Sequence, residues 1–339
     1  MTIDLREAAM AVPGPVVERI RTARSVLAVS HENPDADTIG ATLAVCQMVE
    51  HLGGSATAVC ADPVPSLYDF LPDAARFRTD PEPDRTYDLL VISDCGSLER
   101  VGSVAHRHQS LLASLPRVVV DHHASNGADG VADWVDPGSA ATCEMLTLLA
   151  VRLGIPLTLD DGALASDLMA GVVMDTATFA HPNATPRTLS VAAALVEAGA
   201  PLSDISRRLY RTKPDRQLRL FGLVLGRLQS LAEGRIVHAS LLESDLAACG
   251  AVPSHSEGII DLLSQAEAAE VVLLLKEQGA ATRLSVRTRP GGVDATVLTG
   301  RFGGGGHARA AGATIEAPID EARVLALAEA ERLVAAVQR

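Results

Sequence analysis

The sequence predicts an α/β protein with a mainly parallel sheet covered by helices, then a helical linker and a smaller α/β domain. Three observations predict this class. Short apolar runs typical of buried strands recur along the chain, and segments with apolar residues at helical spacing separate them. Strands that alternate with helices form mainly parallel sheets covered on both faces. The length of 339 residues is about twice that of a typical domain, which favours two domains.

The first domain is predicted from alternating strands and helices. Its strands are the apolar runs at residues 25–30, 57–60, 88–93 and 117–120. Its helices are the segments with apolar residues three or four positions apart, at residues 38–51, 139–153 and 160–176. Ligand sites in such sheets lie beyond the carboxyl ends of the strands. We therefore expect functional side chains in the loops that follow these strands.

The second half of the chain begins with a helical, arginine-rich stretch at residues 187–232, in which Pro201 and Pro214 are expected to break the helix. A second α/β pattern follows, with strands at 235–241, 270–276 and 282–288 and helices at 257–265 and 319–337. The predicted organisation is a first domain at 1–195, a helical linker at 196–232 and a second domain at 233–339.

The charge balance excludes one class of partner. The chain has 29 basic and 42 acidic residues, a formal net charge of −13. Binding of long nucleic acid depends on neutralising many phosphates, and the 3% aromatic content offers little surface for stacking bases. We expect no long nucleic acid as a partner, whereas a small anionic ligand held by a few arginines or by metal fits the composition.

The compartment is predicted to be cytoplasmic. No apolar stretch approaches the roughly 18 residues that a membrane helix needs, so no membrane partner is expected. The N-terminal MTIDLREAAM lacks a basic region followed by an apolar core, which a secretory signal would have. The five cysteines are scattered without a CxxC pair, a pattern that favours free thiols in a reducing compartment.

Histidines and aspartates follow the apolar elements of the first domain in four places. They are His31, Asp35 and Asp37; Asp94; Asp121, His122 and His123; and Asp175. Taken singly, several are equally consistent with helix caps or polar loops. Together, His31, Asp35, Asp37, Asp94, His122 and Asp175 are too many ligands for one zinc ion. They suit two metals that share a carboxylate, the usual device for hydrolysing phosphate esters.

The motifs resemble a known family. The Asp121-His122-His123 triplet, with HxNPDxD at residues 31–37 upstream and isolated aspartates at 94 and 175, is similar to the DHH phosphoesterases. The segment FGGGGHARAAG at residues 302–312 resembles the associated DHHA1 substrate-binding domain. Length and layout are similar to those of the bifunctional oligoribonucleases, or nano-RNases, which also act on 3′-phosphoadenosine 5′-phosphate.

The resemblance implies a role for each site residue. His31, Asp35 and Asp94 would hold one metal, and Asp37, Asp94, His122 and Asp175 the other, with Asp94 bridging; the metal in this family is usually manganese. His123 would stabilise charge at the scissile phosphate or assist the leaving group. Asp121 would orient the histidines, as carboxylates commonly do for metal-bound imidazoles.

The glycine-rich segment is the candidate for substrate binding. Consecutive glycines let a backbone approach an anion closely, although a flexible loop or hairpin corner explains them equally well. Arg283, Ser285 and Arg287 alternate and so share one strand face. The resemblance makes Arg287 the phosphate-binding arginine, with Ser285 beside it. The full set of predicted substrate contacts is Arg287, Ser285, Gly304, Gly305, Gly306 and His307.

The expected function is hydrolysis of short oligoribonucleotides, of linear or cyclic di-adenosine nucleotides and of 3′-phosphoadenosine 5′-phosphate, by water that two metals activate. One alternative is a RecJ-type exonuclease on single-stranded DNA, although the chain has no room for the extra barrel of that relative. Another is a nucleotide sensor without turnover. A homodimer is expected from the resemblance alone.

Overall fold

The computed structural model of the protein describes residues 3–124, 126–127 and 130–337. The chain divides into two units, Met1–Thr212 and Lys213–Arg339, and each unit has its own sheet. The predicted boundaries at residues 195 and 232 remain predictions.

The first unit is built on a parallel sheet of five strands, as the alternating pattern predicted. The strands are β1 (Ser25–Val29), β2 (Ser55–Val59), β3 (Leu89–Ser93), β4 (Arg117–Asp121) and β5 (Ala132–Val135). Their order is β2-β1-β3-β4-β5, and every pairing is parallel. The sequence analysis did not predict β5, because its four residues alternate between buried and half-buried positions and form no continuous apolar run.

Helices cover both faces of this sheet. They are α1 (Leu5–Ala8), α2 (Gly14–Thr22), α3 (Ala36–His51), α4 (Ser103–Arg107), α5 (Gln109–Ser114), α6 (Thr142–Leu153), α7 (Leu159–Thr176), α8 (Pro186–Glu197) and α9 (Leu202–Ser206). Val26 and Ala28 of β1 face the core that contains α3, α6 and α7. Leu27 and Val29, which point to the other side of the same strand, face a smaller core with residues of α4 and α5.

The interface between α3 and α7 contains a buried polar pair. Gln47 Nε2 donates to Asp167 Oδ2 at 2.9 Å. The other oxygen of each side chain, Gln47 Oε1 and Asp167 Oδ1, is buried without a hydrogen-bond partner among the described residues. Burial raises the pKa of Asp167 well above its usual range, because removal from water favours the neutral form of the carboxyl.

The second unit has a mixed sheet of six strands. They are β6 (Gln229–Leu231), β7 (Ile236–Leu241), β8 (Val271–Gln278), β9 (Ala281–Thr288), β10 (Gly305–His307) and β11 (Ala310–Ile315), in the order β10-β11-β9-β8-β7-β6. Its helices are α10 (Asp215–Leu225), α11 (Glu243–Cys249), α12 (Ile259–Leu263), α13 (Ala295–Gly300) and α14 (Ile319–Val337). One sheet face packs with α14, and the other packs with α10 and α12.

The prediction that residues 187–232 are wholly helical is wrong at the end of that stretch. Gln229–Leu231 is an edge strand that pairs antiparallel with β7. Its residues are largely exposed, so no apolar pattern marks them, and only the neighbouring strand determines their conformation. Pro201 and Pro214 directly precede α9 and α10, so the helical stretch is divided at both prolines, as predicted.

Among the described residues no single helix has the length and apolar composition needed to cross a membrane, although the bent pair Pro186–Glu197 and Leu202–Arg211 together meets that length and composition.

Candidate metal centre

Three neighbouring strands of the first sheet deliver the polar cluster to one edge. β1, β3 and β4 are adjacent and parallel, so their carboxyl ends meet. His31 lies just beyond β1, Asp94 directly follows β3, and His122 directly follows β4. Two helices complete the cluster: Asp37 lies in the first turn of α3, and Asp175 lies in the last turn of α7.

Asp94 lies between two groups of possible ligands. Its backbone is left-handed, with φ 56°, a conformation that aspartate tolerates better than most residues. Its Oδ2 lies 3.7 Å from His31 Nε2, and its Oδ1 lies 3.4 Å from His122 Nε2. The two oxygens of one buried carboxylate therefore face two different histidines.

Three sets of side chains have ligand atoms within 4.8 Å of one another. The sets are His31, Asp35 and Asp94; Asp37, His122 and Asp175; and Asp94, Asp121, His122 and His123. All six predicted metal ligands thus fall into the first two sets. Asp94 belongs to the first set and also to the third, which contains His122.

Hydrogen bonds orient the two imidazoles toward the centre. His31 Nδ1 donates to the carbonyl of Glu32 at 2.7 Å, and this orients Nε2 toward Asp94 Oδ2 at 3.7 Å. Backbone carbonyls commonly fix metal-ligating histidines in this way. His122 Nε2 lies 3.1 Å from Asp175 Oδ2, and both belong to the set of possible ligands that also contains Asp37.

The electrostatics of the cluster show an excess of negative charge. Burial, reinforced by the charge of Asp94, raises the pKa of Asp37 well above its usual range. Burial likewise raises the pKa of Asp175 to about 6. Burial lowers the pKa of His122, but hydrogen bonding to Asp175 and Asp94 outweighs it and raises the value to about 11. A cation among these carboxylates is therefore strongly favoured.

The donor set fits divalent metals. Carboxylate oxygens with imidazole nitrogens suit manganese, iron and zinc, and the oxygen-rich balance also accommodates magnesium. The buried His31 directs Nε2 at the cluster, where it lies within ligand distance of Asp35 and Asp94. The acidic cluster can therefore hold divalent ions.

The start of α6 holds two of these carboxylates, which the sequence analysis did not predict. The backbone N–H groups of Thr142 and Cys143 donate to the two oxygens of Asp37 at 2.7 and 2.9 Å. The hydroxyl of Thr142 donates to Asp94 Oδ1 at 3.1 Å. Hydrogen bonds to a charged acceptor are stronger than neutral ones, and the helix dipole adds to them. Thr142 therefore links both carboxylates to one helix end.

Close helix packing brings Asp37 to α6. A Cβ on Gly171 of α7 would lie 2.2 Å from Asp37 Oδ1 and 2.4 Å from Cys143 Sγ. A Cβ on Gly40 of α3 would lie 2.3 Å from the carbonyl of Asp167. No side chain fits at either position, so these glycines are needed for α3, α6 and α7 to approach.

A buried ion pair anchors the same helix end. Glu144 is fully buried and accepts hydrogen bonds from Arg187 Nε at 2.5 Å, Thr188 Oγ1 at 2.8 Å and the N–H of Ala140 at 3.1 Å. Arg187 and Thr188 belong to α8. The network therefore connects the first turn of α6 to α8. The same turn contains Thr142 and Cys143, whose N–H groups donate to Asp37.

His123 is oriented by Asp121. Its Nδ1 lies 2.8 Å from Asp121 Oδ1, and its backbone N–H donates to the same oxygen at 3.0 Å. Asn126 Nδ2 donates to Asp121 Oδ2 at 2.7 Å. Asp121 is fully buried, whereas the His123 side chain is 38% exposed, so its Nε2 is accessible. The hydrogen bonds from His123 to Asp121 orient the His123 ring, and the predicted roles of both residues remain predictions.

The predicted substrate contacts belong to the second unit. Ser285 and Arg287 lie on β9, Gly305, Gly306 and His307 form β10, and Gly304 precedes it. A Cβ on Gly304 would lie 2.3 Å from the carbonyl of Gly312, and Gly306 has φ 142°. The hairpin of β10 and β11 therefore requires glycine at both positions for its own geometry. Gly305 has open space above it, and His307 is exposed.

Comparison with known proteins agrees with this architecture. The family described as DHH family, N-terminal domain, matches residues 25–172, and the DHHA1 domain matches residues 245–335. The bifunctional oligoribonuclease and PAP phosphatase NrnA of Thermus thermophilus is 32% identical over 287 residues, covering 85% of this chain and 83% of that protein. Its Bacillus subtilis namesake is 26% identical over 300 residues, covering 87% and 91%.

A solved structure shares the fold. The exopolyphosphatase-related protein from Bacteroides fragilis superposes with a TM-score of 0.85 at 20% identity, covering 98% of each chain. The matched relatives cover 85–98% of the chain, and the DHH family match at residues 25–172 contains β1, β3 and β4, which deliver the acidic cluster. The chain therefore belongs to the DHH family, with a DHHA1 domain following the DHH domain.

Proposed function

We propose that the protein is a metal-dependent phosphoesterase that hydrolyses short oligoribonucleotides, including linear or cyclic di-adenosine nucleotides, and 3′-phosphoadenosine 5′-phosphate. The observation that carries this proposal is the pair of histidine–carboxylate groups on either side of Asp94. The names of the Thermus and Bacillus relatives, oligoribonuclease and PAP phosphatase, support the choice of substrate.

The proposed cofactors are two divalent metal ions, and manganese is the proposed metal. His31, Asp35 and Asp94 would hold one, and Asp37, Asp94, His122 and Asp175 the other; their oxygen-rich donor set supports manganese. When bound, such a pair polarises the phosphoryl oxygen and lowers the pKa of water, so that a nucleophile is available near neutral pH.

His123 is the proposed catalytic residue beside the metals. Asp121 accepts from its Nδ1, so the ring directs Nε2 away from that carboxylate, where it would stabilise charge on a phosphate oxygen or assist the leaving oxygen. Asp121 acts through His123 and is therefore a positioning residue.

The second unit is proposed to bind the nucleotide. Arg287, Ser285 and His307 offer donors on its sheet, and Gly304, Gly305 and Gly306 leave the backbone accessible. Arg287 currently pairs with the exposed Asp261 at 3.3 Å, and an exposed ion pair is weak enough for a phosphate to replace it. The net charge of −13 agrees with a substrate of few phosphates. We also propose a cytoplasmic location and a homodimer.

The test is turnover by matched variants. With Mn²⁺, the wild-type protein is expected to release phosphate from 3′-phosphoadenosine 5′-phosphate and mononucleotides from a diribonucleotide, as followed by chromatography. Asp94→Asn and His122→Ala should lower kcat by about 1,000-fold or more, the order of loss expected when charge stabilisation in the transition state is removed. The circular dichroism of both variants should match that of the wild type. Asp84→Asn is the control, because Asp84 is exposed and left-handed like Asp94.

Three outcomes would contradict the proposal. Retained turnover in Asp94→Asn would exclude the shared-carboxylate centre. Stoichiometric nucleotide binding without any product would indicate a sensor. Faster degradation of long single-stranded DNA than of the dinucleotide would indicate an exonuclease of the RecJ type.

A further inference from the structure

The backbone carbonyl of Asp175 does not accept the usual helical hydrogen bond. Asp175 lies in the last turn of α7, and in a continuing helix its carbonyl would accept from the N–H of Phe179. That N–H donates instead to the hydroxyl of Thr176 at 2.9 Å, and the N–H of Thr178 donates to the carbonyl of Val173 at 2.9 Å. The end of α7 therefore leaves the Asp175 carbonyl open to other donors.

A left-handed turn ends α7 at this point. Ala177, Thr178 and Phe179 have φ of 47°, 57° and 64°, and none of them is a residue type that enters this region easily. Residues held in this way persist only where the surrounding structure fixes them, and they concentrate at functional sites. The turn reverses the chain, so that the N–H of His181 donates to the carbonyl of Thr176 at 2.9 Å.

Two side chains of the returning segment donate to the open carbonyl. His181 Nδ1 donates to the carbonyl oxygen of Asp175 at 3.1 Å, and Asn183 Nδ2 donates to it at 3.2 Å. Asn183 Nδ2 also donates to the carbonyl oxygen of Ala140 at 3.1 Å. A side-chain amide nitrogen has two N–H groups, so one nitrogen serves both carbonyls. Asn183 thus forms an amide bridge from Asp175 to Ala140, which the His181 ring does not.

The far end of the amide bridge lies beside the donors that hold the other carboxylates of the centre. Ala140 is fully buried and stands two residues before Thr142. The N–H of Thr142 donates to Asp37, and its hydroxyl donates to Asp94. The amide bridge therefore joins the main chain of Asp175 to the segment that holds the remaining two carboxylates.

The segment that carries Asn183 is fixed on both sides. Before it, the left-handed turn is hydrogen-bonded to the end of α7. After it, Thr185 caps α8 by accepting from the N–H of Thr188 at 3.2 Å. Arg187 and Thr188 of α8 in turn donate to Glu144 of α6. An amide held between two fixed ends keeps its two carbonyls at a set distance, because it has little freedom to follow them.

We propose that Asn183 is a positioning residue of the metal centre. Its amide bridge sets the distance between the end of α7 and the start of α6, and so the spacing of Asp37, Asp94 and Asp175, the carboxylates proposed for the second metal. The inference rests on the proposed function, which supplies the metal. Groups that hold metal ligands in place commonly set the affinity for the metal. Here the group acts on the backbone of the ligand residue and leaves its carboxylate free.

The experiment measures Mn²⁺ binding to the full-length protein by calorimetry, starting from protein stripped of metal. Asn183→Leu keeps the size of the side chain and removes both donors, and its affinity for one Mn²⁺ ion is expected to fall about tenfold. His181→Leu is the matched control, because it removes a donor from the same carbonyl and leaves the amide bridge; its Mn²⁺ affinity should stay close to that of the wild type. Asn183→Ser should also bind Mn²⁺ more weakly, because one hydroxyl hydrogen cannot serve two carbonyls.

The outcomes distinguish positioning from a purely structural role. Unchanged Mn²⁺ affinity in both Asn183 variants, with a lower free energy of unfolding in urea, would show that the amide bridge only stabilises the fold and would overturn the inference. Equal losses of affinity in Asn183→Leu and His181→Leu would also overturn it, because capping of the Asp175 carbonyl would then explain both. If the wild-type protein binds Mn²⁺ but hydrolyses no substrate, the proposed function fails and the binding comparison still decides the inference. If it binds no Mn²⁺, both fail.

Discussion

Replacing Gly171 by alanine tests how tightly three helices close around Asp37. The new Cβ would lie 2.2 Å from Asp37 Oδ1, 2.4 Å from Cys143 Sγ and 2.8 Å from Cys143 Cβ. Atoms this close must move apart. Asp37 cannot swing away freely, because both of its oxygens accept backbone N–H groups at the start of α6.

The expected loss of stability follows from two opposing effects. Overpacking a core by one methyl group typically costs about 1–3 kcal/mol, and weakening the hydrogen bonds to a buried carboxylate places this case near the upper end, about 3 kcal/mol. Alanine in a helix interior is more favourable than glycine by about 1 kcal/mol. The free energy of unfolding should therefore fall by about 2 kcal/mol.

Gly222→Ala is the matched control. Gly222 also lies inside a helix, α10, but a Cβ there has nothing within 4 Å. Only the helix-propensity gain remains, so this variant should be stabilised by about 0.5–1 kcal/mol. The assay is urea unfolding, with a Mn²⁺ titration of each folded variant. Mn²⁺ affinity should fall about tenfold in Gly171→Ala alone. If both variants shift the unfolding midpoint in the same direction, the packing argument is wrong.

Three further predictions follow from buried contacts. Thr142→Val should weaken Mn²⁺ binding about tenfold by removing the hydroxyl that donates to Asp94, whereas Thr142→Ser should not; equal calorimetric affinities would refute this. Asp167→Asn should stabilise the protein at pH 8 and much less near pH 4. Folding raises the pKa of Asp167, so its carboxyl destabilises the folded protein as the pH rises above the pKa of this group in the unfolded chain. A difference in urea midpoint that does not change with pH would contradict this prediction. Glu144→Gln should cost about 2 kcal/mol, because Arg187 loses its buried carboxylate partner and keeps only the carboxylate of Asp136; a double-mutant cycle with Arg187→Gln should show strong coupling.

The chemistry of the centre was predictable because the polar residues directly follow apolar strands. His31, Asp94 and His122 come after β1, β3 and β4, and parallel strands end at a common edge. The parallel sheet and the second α/β unit were predictable because each helix and strand carries its own apolar periodicity in the sequence. β6 escaped prediction because an exposed three-residue edge strand has no periodic pattern and depends wholly on pairing with β7.

The sequence by itself determined which side chains could act as metal ligands and on which kind of element each one lies, because those properties depend on residue type and local spacing. Only the tertiary structure decided what holds them. The donors to Asp37 are backbone N–H groups 105 and 106 residues away, and every residue except proline has one, so no residue type marks them.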